Sequence, residues 1–102
     1  LNNTINYKRM ILRTEEISSN YKQTHRIFDR KEFAIYWDAT AMKFKNISLL
    51  IYNGTEIVRY ENLENKGRKI VRLKKVHSPV KIILVANWLD ALIYKVVYAV
   101  KG

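Results

Sequence analysis

The first part of the chain alternates apolar and polar residues and then changes to a helical spacing. Positions 4–13 alternate in the manner of a strand with one exposed face, and a second strand is predicted over 21–27. Asp29 and Glu32 have the spacing of a capping box, which marks a helix start. Four apolar residues then share one helical face: Phe33, Trp37, Ala41 and Phe44. These spacings predict a helix over residues 30–45.

The middle of the chain has the pattern of a hairpin. Residues 47–52 are nearly all apolar, which is typical of a strand buried on both faces. Asn53-Gly54 follows, the dipeptide most typical of a tight turn, and 56–61 supplies a partner strand. A second turn is predicted at 65–67, and a strand that mixes cations with Ile, Val and Leu is predicted over 68–77.

Two structures fit the last apolar segment. Ser78-Pro79 suits a helix start, and at helical spacing most apolar residues of 80–97 gather on one side, with Lys81 and Asp90 opposite. A pair of strands around the Asn-Trp-Leu-Asp sequence at 87–90 fits the β-branched content as an alternative. We take the helix as the prediction. The charges within 80–100 argue against a membrane span.

The chain carries a weak internal repeat. At an offset of 52 residues the same residue types recur in both halves. The matched positions are His25, Ala34, Asp38, Ala39 and Lys43 in the first half, and His77, Ala86, Asp90, Ala91 and Lys95 in the second. We therefore predict an α+β fold: two degenerate strand-strand-helix repeats, about 1–50 and 53–102, that form one compact pseudo-symmetric domain over residues 1–102.

The predicted repeats suggest a binding cleft. Each predicted helix has more apolar surface than one core-facing side needs, and the excess must be covered by the other repeat, a second subunit or a ligand. Four residues are the candidate contacts for a peptide or protein segment: Trp37, Met42, Trp88 and Tyr94. The leading hypothesis is a non-enzymatic interaction module that binds this segment between the repeats. Packing of one helix on the other is the alternative.

Charge provides the second functional hypothesis. The 102 residues have a formal net charge of +10, which favours polyanionic partners, although it also serves solubility. Six cations lie within ten residues: Lys66, Arg68, Lys69, Arg72, Lys74 and Lys75. On a strand they predict sequence-independent nucleic-acid binding, unless they only protect an edge strand from pairing. This strand has no aromatic residue, so an aromatic stacking surface is not predicted there, and Tyr98 is interpreted as a core residue.

Catalysis and metal binding have little support in the sequence. The chain has no cysteine, which excludes disulfides and thiolate metal sites. His25 and His77 have no carboxylate at ligand spacing, and Asp38 and Asp90 are more typical of surface ion pairs than of an acid/base pair. We predict that the protein is not an enzyme and uses no metal or cofactor.

The composition resembles that of one group of viral proteins. The chain lacks Cys, has one Pro, is rich in Ile, Lys, Asn and Tyr, and begins with Leu1. In length and composition it resembles the small orphan proteins of filamentous viruses of hyperthermophilic archaea, the Acidianus lipothrixviruses. The resemblance implies a thermostable viral protein of the host cytoplasm, a monomer or small homo-oligomer without membrane association or catalytic residues.

Overall fold

The computed structural model describes residues 9–17, 31–77 and 79–100. Over these ranges the chain forms seven β-strands and no helix. The strands are β1 (Ile11–Glu16), β2 (Lys31–Asp38), β3 (Lys45–Asn53), β4 (Glu56–Leu63), β5 (Lys66–Leu73), β6 (Val80–Trp88) and β7 (Ala91–Val100). The predicted α+β class is therefore wrong, and the described part of the chain is all-β.

The strands form two antiparallel sheets. One has the order β1-β2-β5 and the other the order β4-β3-β6-β7. Both sheets contribute to one hydrophobic cluster, so they pack face to face. The largest fully buried apolar residues are Met10, Phe33, Ile35, Ile47, Leu49, Ile51, Val80, Ile82, Leu84 and Ile93. Each sheet consequently has one face in the core and one face outward.

The segment predicted as the first helix is a strand followed by a connection. Phe33, Ile35 and Trp37 are all buried, which is the two-residue period of a strand, whereas Ile35 would face away from the other two on a helix. Positions four apart share a face in both structures, so Phe33 and Trp37 could not distinguish them. β2 pairs with β1 on one side and β5 on the other, and these long-range hydrogen bonds fix the extended form.

The segment predicted as the second helix is the β6–β7 hairpin, so the alternative of two strands is correct. Alternate residues of β6 are fully buried from Val80 to Ala86, and their neighbours are half-buried on the outer face. Because both faces carry apolar side chains, the segment has the continuous apolar sequence that also suits a helix. The chain reverses at Leu89-Asp90, between the paired residues Trp88 and Ala91.

The strand-strand-helix units of the predicted repeat are not formed. The connection between β2 and β3, residues 39–44, passes from one sheet to the other, whereas β6 and β7 form a hairpin within one sheet. The two segments that the repeat would make equivalent therefore differ in connectivity. A cleft between two helical units consequently loses its structural basis.

The predicted central hairpin is confirmed. β3 and β4 pair from Asn53 and Glu56 inward, and Gly54 occupies the first turn position with φ 67°. Glycine adopts this conformation without the strain that a side chain would cause. The predicted N-terminal strand corresponds in part to β1, while its residues 4–8, the strand over 21–27 and Ser78 lie outside the described residues.

Candidate functional site

The outward face of the three-stranded sheet carries a row of cations. Along β5 the even-numbered residues from Lys66 to Arg72 are exposed, while Val71 and Leu73 are buried. This alternation places three cations of the predicted cluster on the outer face: Lys66, Arg68 and Arg72. We call these three, with Arg13 of β1 and Tyr36 of β2, the basic face.

Tyr36 lies between two arginines at the centre of the basic face. Arg13, Tyr36 and Arg68 are register partners on the three adjacent strands. The Arg13 Cζ lies 4.6 Å from the centroid of the Tyr36 ring, and the Arg68 Cζ lies 5.4 Å from it. The Arg68 Nε donates a hydrogen bond to the Tyr36 hydroxyl over 2.9 Å, which uses one of the five N–H groups of the guanidinium. The ring therefore orients both guanidinium groups on the surface.

Carboxylates accompany the cations on this face. The Lys66 Nζ lies 3.9 Å from Asp38 Oδ2, Arg72 forms an ion pair with Glu32, and the Tyr36 hydroxyl donates to Glu15 Oε1 over 2.9 Å. The side chains of Asp38 and Glu32 are 27% and 28% exposed, and ion pairs near the surface contribute only about 0–1 kcal/mol to stability. The three carboxylates offset most of the charge of the four cations on this face.

Asp38 also organises the turn that follows β2. The hydroxyl and the backbone N–H of Thr40 donate to Asp38 Oδ1, and these hydrogen bonds, with a smaller contribution from Lys66, lower the pKa of the carboxyl below its ordinary value. Asp38 is thus a fixed negative charge beside Lys66. Asp90, the residue considered with it for an acid/base pair, lies in the β6–β7 turn of the other sheet.

An open groove of about 590 Å³ occupies one end of the basic face. Its floor depends on Gly67, because a Cβ there would lie 2.6 Å from Cζ2 of the Trp37 indole. The Trp37 Nε1 donates to the carbonyl oxygen of Glu64 over 2.8 Å, which holds the indole in place. The groove is lined by Ile11, Arg13, Tyr36, Trp37, Asp38, Lys66, Gly67 and Arg68. Three of these residues are cations and one is an acid.

The other three predicted cations lie elsewhere. Lys69 is on the inner side of β5, with its Nζ 4.4 Å from the centroid of the Tyr60 ring. Lys74 and Lys75 are exposed in the bend that follows β5. The six cations that were predicted to lie on one strand therefore do not share one face, because the strand alternates and ends at Leu73.

Buried Asn53 fixes the conformation of this bend. Its Nδ2 donates to the carbonyl oxygen of Lys75 over 2.8 Å, and its Oδ1 accepts from the backbone N–H of His77 over 2.7 Å. Asn53 is 1% exposed, so these bonds are shielded from water. The bend over 74–77 is thereby attached to the β3–β4 turn.

The four residues predicted to bind a peptide do not form one site. Trp37 is buried in the core, and Met42 and Trp88 are half-buried and pack against it. Tyr94 is exposed on the outer face of the four-stranded sheet. Tyr94 therefore lies on the opposite side of this sheet from Trp88, and the structure does not bring all four side chains together.

The two histidines were considered as metal ligands. His77 is exposed, and His25 lies outside the described ranges. Residues 9–17, 31–77 and 79–100 contain no group of three or more His, Asp or Glu residues that could hold a metal ion. In the same ranges no helix is long and apolar enough to cross a membrane.

Sequence reasoning missed Arg13 and Tyr36 as site residues. The signal that could have identified them is the two-residue alternation at 11–15 and 32–38, which places both side chains on the outer side of a sheet. A helix over 30–45 obscures this alternation, because it places Tyr36 on a helical face instead.

The comparisons with known proteins identify no family. The chain matches no protein-family model, no curated protein and no solved structure. The resemblance to lipothrixvirus proteins therefore stays a prediction.

Proposed function

We propose that this protein binds nucleic acid through the basic face, by contacts to phosphates rather than to base edges. The observation that carries the proposal is the row of outward cations on β5, continued across the sheet by Arg13 beside Tyr36. Successive outward residues on a strand are about 6.8 Å apart, which is the spacing of Lys66 and Arg68, and Arg72 follows after the exposed Ile70. The row can therefore contact more than one phosphate of a backbone.

The position of β5 supports this proposal. Among the described strands β5 is at the edge of its sheet, so a long polymer can approach the cations from the side as well as from the face. Cations at an edge also discourage strand pairing, which was the alternative interpretation. β1 is the other edge strand, so edge protection also suits Arg13, but it gives no reason for Tyr36 on the central strand β2. The alignment of Tyr36 with both arginines favours a binding surface.

The test is a titration of fluorescein-labelled oligonucleotides with the full chain, followed by anisotropy. Single-stranded DNA, single-stranded RNA and duplex DNA of about 20 nucleotides are compared at about 50 and 200 mM salt. We expect binding that weakens steeply with salt and does not depend on sequence. No binding of any of these at the lower salt concentration would refute the proposal.

A matched pair of variants locates the interface. Arg68→Gln/Arg72→Gln removes two charges from the basic face, and Lys45→Gln/Arg59→Gln removes two exposed charges from β3 and β4 of the other sheet. We expect the first variant to reduce the slope of log affinity against log salt by about 0.7–0.9 for each phosphate that is no longer neutralised. The second variant should retain nearly the wild-type slope. Equal reductions in both would assign the binding to net charge instead.

A further inference from the structure

The outward face of the four-stranded sheet carries exposed aromatic rings. Tyr52 on β3, Lys81 on β6 and Tyr98 on β7 are register partners in one row, and Tyr94 shares the outer side of β7 with Tyr98. Tyr98 is 44% exposed and Tyr94 is 37% exposed. We call Tyr52, Lys81, Tyr94 and Tyr98 the tyrosine face. The interpretation of Tyr98 as a core residue is therefore wrong, because β7 turns this side chain outward.

A groove with a positive charge lies at one end of the tyrosine face. It has a volume of about 370 Å³ and is lined by Tyr52, Gly54, His77, Pro79, Lys81 and Tyr98. The Lys81 Nζ lies 5.4 Å from the centroid of the Tyr52 ring. Tyr52 and Tyr98 are separated by one strand, which places their backbones about 10 Å apart with the lysine between them. The groove thus combines two aromatic rings with a cation.

The bend after β5 connects this groove to the basic face. β5 belongs to the three-stranded sheet and β6 to the four-stranded sheet, so residues 74–77 pass from one sheet to the other. Lys74 and Lys75 are exposed on this bend, and His77 at its end lines the groove. The bend between the basic face and the tyrosine face therefore also carries positive charge.

We infer that the tyrosine face stacks unpaired bases, so that the protein prefers single-stranded nucleic acid over duplex. This inference rests on the proposed function. The two faces lie on opposite outer sides of the packed sheets, so a strand held by its phosphates at the basic face passes over the bend at 74–77 to bring its bases to the tyrosine face. Aromatic rings bind any base through its π face, and a duplex does not offer those faces because its bases are stacked on one another. Charge complementarity favours this ligand over a second copy of the chain, which would bring two proteins of net charge +10 together.

The test compares two substitutions at one exposed position. Tyr98→Leu removes the ring, and Tyr98→Phe keeps it. Binding to single-stranded oligothymidine and to duplex DNA is measured by anisotropy at the same salt concentrations. We expect Tyr98→Leu to weaken single-strand binding roughly 5- to 100-fold, with duplex affinity and the salt slope unchanged. Tyr98→Phe should bind both as the wild type does.

The outcomes separate this inference from the proposed function. If Tyr98→Leu and Tyr94→Leu both bind oligothymidine as tightly as the wild type, while Arg68→Gln/Arg72→Gln binds more weakly, base stacking is refuted and phosphate binding stands. If the wild-type protein binds neither oligonucleotide at low salt, both proposals are refuted.

Two further measurements test the occupant of the tyrosine face directly. Irradiation of a complex with an oligonucleotide that contains 5-iodouracil should crosslink the peptide that carries Tyr94 and Tyr98. Sedimentation should show no change of oligomeric state in Tyr98→Leu. A variant that dissociates a wild-type dimer while its affinity for oligothymidine is unchanged would assign this face to a second copy and overturn the inference.

Discussion

On the three-stranded sheet a tyrosine lies between two arginines, and on the four-stranded sheet a lysine lies between two tyrosines. Both rows, Arg13-Tyr36-Arg68 and Tyr52-Lys81-Tyr98, cross three adjacent strands in register. The first row presents donors that suit phosphate oxygens, whereas the second presents ring faces that suit bases. Strand alternation therefore sets which positions face outward, while residue type decides which part of a ligand each face can bind.

Each face also depends on a glycine, and the two glycines differ in what surrounds them. Gly67 supports the buried indole of Trp37, which is held by a hydrogen bond, whereas Gly54 lies in a turn against His77, which is exposed. A Cβ at Gly67 would meet the far end of the Trp37 ring, whereas a Cβ at Gly54 would meet the Cβ and Cγ of His77, close to the backbone, at a φ that strains a side chain. Both glycines should therefore be sensitive to an added methyl group, for different reasons.

Gly67→Ala and Gly54→Ala should have the largest effects on stability. The Cβ added at Gly67 would lie 2.6 Å from the Trp37 ring, and overpacking of this kind costs about 1–3 kcal/mol. Gly54→Ala is the matched change beside the tyrosine face, where φ 67° costs about 1–2 kcal/mol and a 2.9 Å approach to the Cβ of His77 adds to the loss. Urea unfolding of both variants measures the two losses. A variant that unfolds at the wild-type urea midpoint would contradict the role assigned to its glycine.

Asn53→Ala tests the bend that joins the two faces. The change leaves the carbonyl of Lys75 and the N–H of His77 without their partner, which should cost about 2 kcal/mol in the free energy of unfolding. The amide of His77 should also exchange its hydrogen faster. Asn87→Ala is the control, because its bond to Asn46 is exposed and should contribute less than about 0.5 kcal/mol. Equal destabilisation of the two variants would show that the bend is not held by Asn53.

Leu89→Asn should stabilise the hairpin that carries the tyrosine face. Leu89 has φ 56° and is 80% exposed, so it bears backbone strain and contributes little packing. Asn tolerates this conformation better, and we expect a gain of about 0.5–1 kcal/mol in thermal unfolding. Leu92→Asn, on the same hairpin but within β7, should bring no gain. A loss of stability in Leu89→Asn would show that the leucine side chain makes a contact that matters.

Asp38→Asn should have the smallest effect, and it should depend on pH. The hydrogen bonds from Thr40 lower the pKa of Asp38 in the folded protein, so its contribution is complete above the unfolded pKa and is lost as pH falls through the folded pKa. The wild type should be slightly more stable than the variant at neutral pH, and this difference should disappear in acid. Urea midpoints at several pH values measure it. A difference that grows in acid would have the wrong sign.

Local patterns predicted the central hairpin but not the sheet class. Asn53-Gly54 and the apolar run before it are local signals, and the structure forms the hairpin there, with Asn53 as the last residue of β3 and Gly54-Thr55 as the turn. The errors came from 30–45 and 80–97, where apolar residues four apart satisfy a helix and a strand equally. In the segment 30–45, Ile35 is buried together with Phe33 and Trp37, which identifies a strand. This burial results from pairing with strands that are distant in sequence.

The candidate site was predictable only in part. The cations of β5 are visible in the sequence, and their alternation follows once the strand is accepted. The alignment of Arg13 and Arg68 with Tyr36 depends on the register of three strands, which no local pattern contains. The row of Tyr52 and Tyr98 about Lys81 is hidden for the same reason.

The most direct test of the binding surface is a heteronuclear NMR titration of the ¹⁵N-labelled chain with unlabelled oligothymidine. We predict that the largest backbone amide shifts occur along residues 66–77 and at Arg13 and Tyr36, while the turn at Leu89-Asp90 stays unchanged. Shifts that are absent at high ligand concentration, or that are largest on the outer side of β4 near Arg59, would contradict the account.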